Sequence, residues 1–102
     1  MKEKVINFDF VWMPMSVGGV SFSPFVNMRT CIRWQKYYEY FLSCSHDIQW
    51  EEVEFNENTY QGKALGRFNS DASLPIYFLE DGEPLEFLSG YKVLAVGILR
   101  KL

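Results

Sequence analysis

The sequence predicts a single α/β domain over residues 1–102 with the element order βαβαββα, and three observations carry that expectation. Ile6, Phe8, Phe10 and Trp12 alternate with Asn7, Asp9 and Val11, the period of two that gives a strand one committed buried face. Cys31, Trp34, Tyr37, Tyr38, Phe41 and Leu42 recur at helical spacing, with Arg29, Arg33, Lys36 and Tyr40 opposite. Asp81-Gly82 separates two short apolar runs, as in a tight hairpin.

The remaining elements follow in order. The first strand stops at Pro14, and residues 15–22, with Gly18-Gly19, read as a loop. Ser23-Pro24 suits a helix start, because a serine hydroxyl accepts an orphan amide bond and proline needs no donor at the first helical position. That long helix is expected to end between Ser43 and Asp47. A second strand runs from Ile48 to Phe55, with an irregularity where the alternation breaks at Glu51-Glu52. Asn58 with Gln61 resembles a capping box, and Ala64, Leu65 and Phe68 form the stripe of a short helix weakened by Gly62 and Gly66. After a loop at 69–73, strands at Ile76–Leu79 and Leu85–Leu88 are joined through Asp81-Gly82. Leu94, Ile98 and Leu102, flanked by Val93, Ala95 and Leu99, predict a closing helix with Arg100-Lys101 at its C-terminal end.

Composition narrows the function classes. The chain is 48 % hydrophobic and 23 % charged, ordinary for a globular domain, so its 18 % aromatic share stands out as core or interface material. Ten basic residues against thirteen acidic give a net charge of −3, which argues against a nucleic-acid partner. Cys31 and Cys44 match neither a metal-ligand cluster nor a CxxC pair. On one helix they stand roughly 20 Å apart, too far to bond, so free thiols and a cytoplasmic location are expected. Lys2 and Lys4 precede an apolar run, but Asp9 interrupts it as no signal peptide would, and no stretch of about 18 apolar residues spans a membrane.

Leu74-Pro75 before an apolar run, Asp81-Gly82 after it and Gly90 before the last segment give an order that resembles the thioredoxin-fold superfamily of thioredoxins, glutaredoxins and glutathione-transferase N-terminal domains. The resemblance implies a three-layer α/β sandwich on a mixed four-stranded sheet, with Pro75 as the cis-proline that faces the loop before the first helix. The chain departs from that pattern where the redox members carry cysteine, since the helix entrance reads G-V-S-F-S-P-F-V. Cys31, about two turns further on, reads as a small buried hydrophobe. His46 reads as a loop residue and Asp9 as a polar strand residue.

The expectation is therefore a redox-inactive domain without catalytic residues, metal or cofactor. It would bind a protein partner, or a second copy of itself, through Met15, Val17, Val20, Phe22, Ser23, Leu74 and Pro75. A glutathione-dependent transferase or reductase using Ser23 is the alternative that the S-P-F motif suggests, with glutathione as cofactor. A small acidic inhibitor or immunity-type protein is a third. The basic stripe Arg29, Arg33, Lys36 against the acidic runs at 51–57 and 80–86 would steer an oppositely charged partner.

Overall fold

The strand expected from alternation, β1 (Val5–Trp12), is present, and Ile6, Phe8, Phe10 and Trp12 are all buried. In the computed structural model, which describes residues 5–37, 46–68, 76–90 and 92–101, β1 is paired on both sides. The other strands are β2 (Arg29–Trp34), β3 (His46–Asn56), β4 (Gln61–Phe68), β5 (Pro84–Ser89) and β6 (Lys92–Arg100). Every pairing is antiparallel, and the order β1-β4-β3-β2-β5-β6 closes into a barrel when β6 returns to β1.

The architecture overturns both the α/β sandwich and the thioredoxin-like resemblance, since no α-helix occurs among the described residues and the sheet is an antiparallel barrel rather than a mixed four-stranded layer. Each misread segment has a physical reason. Met28, Thr30, Ile32 and Trp34 alternate inward along β2, while the half-buried Cys31 lies on its outer face, so the spacing of Cys31 and Trp34 imitated a helical stripe. Ser23 accordingly lies within a loop and starts no helix. In β4 the inward positions are Gly62, Ala64, Gly66 and Phe68, and the two glycines that weakened a helix are the small members of a strand. The polar residues at 56–60 make a turn capped by Asn56, whose side-chain oxygen accepts from the amides of Asn58 at 2.8 Å and Thr59 at 3.3 Å.

Residues Ile76–Leu79 form a 3-10 turn and not a strand, so Asp81-Gly82 joins no hairpin, although Gly82 does adopt a positive φ of 88°. The tight hairpin comes later, at Gly90, whose φ of 64° lets Ser89 pair with Lys92. The closing segment is β6. Its register slips between Phe87–Ala95 and Leu88–Val93, leaving Leu94 as an extra residue, so Leu94 and Ala95 are both buried and the alternation is scrambled into a helix-like pattern. The same device in β3 was foreseen: Trp50 pairs with Gly66 and Glu52 with Leu65, and Glu51 is extra. The cis bond expected at Leu74-Pro75, together with Tyr38, Phe41, Leu42 and Cys44, falls outside the described residues.

A barrel of few strands is filled by its own side chains, and aromatic residues supply most of this filling. Large and small residues face each other across neighbouring strands. Phe10 lies between Gly62 and Gly97, Phe8 faces Ala64, and Trp12 and Phe87 flank Ala95. Trp12, Trp34 and Trp50 are at most 2 % exposed, and each indole N–H finds an acceptor. Trp12 donates to the Phe22 carbonyl at 2.9 Å, Trp50 to the Thr30 hydroxyl at 3.0 Å and Trp34 to the Phe78 carbonyl at 2.6 Å.

On the outer wall, ion pairs bridge three seams: Arg33 with Glu86 at 2.6 Å, Arg67 with Glu51 at 2.8 Å and Arg100 with Asp9 at 2.7 Å. Asp9 is thus a strand residue paired with a cation, and the predicted basic helix face does not exist. The hydrogen bonds from Arg67 hold the Glu51 carboxyl below its usual range, and Asp9 raises the already high pKa of Arg100 in the same way.

Candidate functional site: an aromatic-walled groove at one end of the barrel

The loop between β1 and β2, residues 13–28, is long for a compact domain, where connections beyond about 15 residues are uncommon and usually functional. It is held firmly. A 3-10 turn at Met15–Val17 ends in Gly18 at φ 89°, and the Gly19 amide returns to the Pro14 carbonyl at 2.9 Å. A side chain at Gly19 would run into the Met13 carbonyl, so this close approach requires glycine. Further along, Pro24 is buried and Val20 packs against the core. The Asn27 amide donates to the Trp50 carbonyl at 2.6 Å, and the Gln49 carboxamide reaches the Asn27 side chain at 3.1 Å.

With its backbone pinned, the loop exposes large apolar side chains: Met15 at 67 %, Val17 at 64 %, Phe22 at 46 %, Phe25 at 53 % and Val26 at 52 %. Exposed apolar side chains gathered on one segment are characteristic of contact surfaces. Of the residues expected to bind, Met15, Val17, Phe22 and Ser23 stand on this exposed loop, and Val20 is half-buried beneath it. Leu74 and Pro75 lie outside the described residues.

Beside the loop lies a groove of about 290 Å³, whose other wall is the turn between β3 and β4. Four rings follow one another along it at steep angles. Phe22 and Trp12 are 6.0 Å apart at 63°, Trp12 and Phe55 6.5 Å at 68°, and Phe55 and Tyr60 6.3 Å at 64°. Phe22 and Tyr60 are exposed and form the rims, while buried Trp12 and half-buried Phe55 form the floor. The Trp12 amide donates to the Tyr60 carbonyl at 2.7 Å, which ties the two walls together. Glu57 is the one charged side chain among the described lining residues.

Sequence reasoning missed this second wall: Trp12 and Phe55 belong to expected strands, Tyr60 falls between the Asn58 and Gln61 of the expected helix cap, and Phe25 and Val26 fall in the expected long helix. The polar cluster Asn56-Glu57-Asn58-Thr59 between two apolar runs was the signal of a hairpin there.

Two further depressions mark the outer wall. One of about 670 Å³ runs over Val11, Val96, Ile98 and Pro84, and one of about 370 Å³ lies around Asp9, Glu52, Glu54 and Lys63. No group of His, Cys, Asp and Glu suited to a metal ion occurs among the described residues, and no described helix is long and apolar enough to cross a membrane. His46 is the first residue of β3, buried and edge-on to Phe68 at 6.5 Å, rather than a loop residue.

Cys31 does not behave as a reactive thiol would. Partial burial, with a hydrogen bond and a negative charge from Asp47, raises its pKa, so it is protonated at neutral pH. Titration of the native protein with Ellman's reagent should therefore modify Cys31 slowly, and in denaturant rapidly; rapid labelling of native Cys31, identified by peptide mapping, would contradict this assignment.

Compared with protein-family models and with curated protein sequences, the chain matches none.

Proposed function

We propose that this domain is a protein-binding module whose contact surface is the β1–β2 loop together with the aromatic groove beside it. The observation that carries the proposal is the combination of an exposed apolar loop with a backbone anchored at many points. A loop that is fixed before contact loses little conformational freedom on binding, so its apolar side chains contribute more of their burial to affinity. Aromatic residues at the rim fit the composition of interface centres. A raised thiol pKa at Cys31 and the absence, among the described residues, of a metal-ligand cluster leave the binding reading ahead of an enzymatic one.

Panning a peptide library displayed on phage tests this directly. The wild-type domain should enrich a shared sequence motif, and the double variant Phe22→Ser, Phe25→Ser should lose it while keeping its circular-dichroism spectrum. Enrichment that is unchanged in the variant, or absent in the wild type, would remove the loop from consideration. Sedimentation of the wild type over a range of concentrations distinguishes a foreign partner from a second copy of this chain.

A further inference from the structure

We propose that the aromatic groove receives an arginine side chain from the partner, with the guanidinium against the exposed rim rings and paired with Glu57. This rests on the protein-binding reading and names its specificity. A groove of about 290 Å³ sits at the lower edge of the range for small-molecule sites, and is sized for one long side chain rather than a dinucleotide or similar cofactor.

Its walls are rings, and aromatic faces attract cations through their quadrupoles. Two rims at least 41 % exposed present accessible ring surface, while the floor supplies apolar cover for the methylene stem. Glu57 places a carboxylate at the same groove, and no described lysine or arginine lines it to compete. Lys92 points its ammonium at the Gly19 carbonyl of the loop, 3.5 Å away, and is not part of the lining. The net charge of −3 favours a basic partner in the same sense.

Arginine fits better than lysine for a physical reason. Its planar guanidinium stacks on a ring while its edge still donates to a carboxylate, and it is more weakly hydrated than an ammonium. The turn that carries Glu57 and Tyr60 is prearranged for this. Asn56 accepts two backbone amides, the Tyr60 amide reaches the Asn56 carbonyl at 2.8 Å, and Tyr60 holds a positive φ of 59°.

The test uses capped tripeptides, acetyl-Gly-X-Gly-amide, with X arginine, its neutral isostere citrulline, norleucine or trimethyllysine, titrated into ¹⁵N-labelled protein. The indole N–H of Trp12, which donates to the Phe22 carbonyl at the groove, is the reporter. The arginine peptide should shift that signal and the amides of residues 56–60 saturably, and citrulline should bind at least about tenfold more weakly. Glu57→Gln should weaken the arginine peptide about threefold to fivefold, as expected for an exposed ion pair. Phe22→Leu should do likewise while leaving norleucine unaffected.

Equal binding of arginine and citrulline peptides, or tighter binding of trimethyllysine, would overturn the arginine assignment. Phage panning that returns apolar motifs without arginine would also overturn it while leaving the protein-binding reading intact. Failure of every peptide, displayed or synthetic, would remove both.

Discussion

Trp50→Ala should lower the unfolding free energy by about 3–5 kcal/mol, a large share of the roughly 5–15 kcal/mol that holds a domain folded. Trp50 is fully buried at the centre of the barrel, with ring centroids of Phe8, Phe10 and Phe87 at 4.9, 5.0 and 5.1 Å and that of Trp12 at 6.1 Å. Removing it opens a cavity that strands on every side would have to collapse into, and leaves the Thr30 hydroxyl without its indole donor.

The two losses separate experimentally. Trp50→Phe keeps a ring and orphans Thr30, and adding Thr30→Val removes the orphan, so the double variant should recover about 1 kcal/mol over the single. Urea denaturation followed by circular dichroism measures all three. A loss under about 1 kcal/mol for Trp50→Ala would mean that the indole is not at the centre of the core.

The second large effect is expected at Gly62. A methyl group there would collide with the Glu54 carbonyl and with the Phe10 ring, whose nearest atom would be 2.6 Å away. Backbone cannot step aside as a side chain can, so Gly62→Ala should cost about 3 kcal/mol, the upper end for overpacking. Gly66 is the informative comparison. There the closest atom would be the tip of Ile48, at 2.8 Å, and the next is 3.2 Å away on Phe8. A flexible tip can rotate, so Gly66→Ala should cost less than about 1.5 kcal/mol, and Ile48→Val should relieve most of it. Equal costs at the two positions would show that β4 shifts as a unit and that the large-small matching does not set the barrel's fit.

Alternation made β1 legible, because its inward residues are large and its outward ones are interrupted by Asn7 and Asp9. The same clarity exposed the irregularity at Glu51-Glu52 and the strand expected at Leu85–Leu88, which runs from Pro84 to Ser89. β4 was obscured by its own function in the core. Its inward positions must be small to admit Phe8 and Phe10, and a run with Gly62, Ala64 and Gly66 inward carries no apolar alternation to detect. β6 was obscured by the extra residue at Leu94, which moves the buried set from one parity to the other midway. The loop was legible as an irregular apolar segment, since Met15, Val17 and Phe22 beside Gly18-Gly19 do not depend on which fold supports them. The opposite wall was not, because Phe55 and Tyr60 approach Trp12 only when the hairpin between β3 and β4 lies against β1.

Closure of the barrel also dictates an order of events during synthesis. Of the described strands β1 emerges from the ribosome first, yet neither of its neighbours is next in sequence: β4 follows after two intervening strands, and β6 after four. The pair Asp9–Arg100 joins residues 91 positions apart. Until β6 is made, β1 presents one free edge and β5 another, each lined with unpaired amides and carbonyls that any passing strand could match. Contacts this distant in sequence are slow to form, so pairing of β6 with β1 is a late step that leaves the unclosed chain with two open seams. Crowding of several such unclosed chains on one messenger would therefore favour exchange of β6 between neighbours.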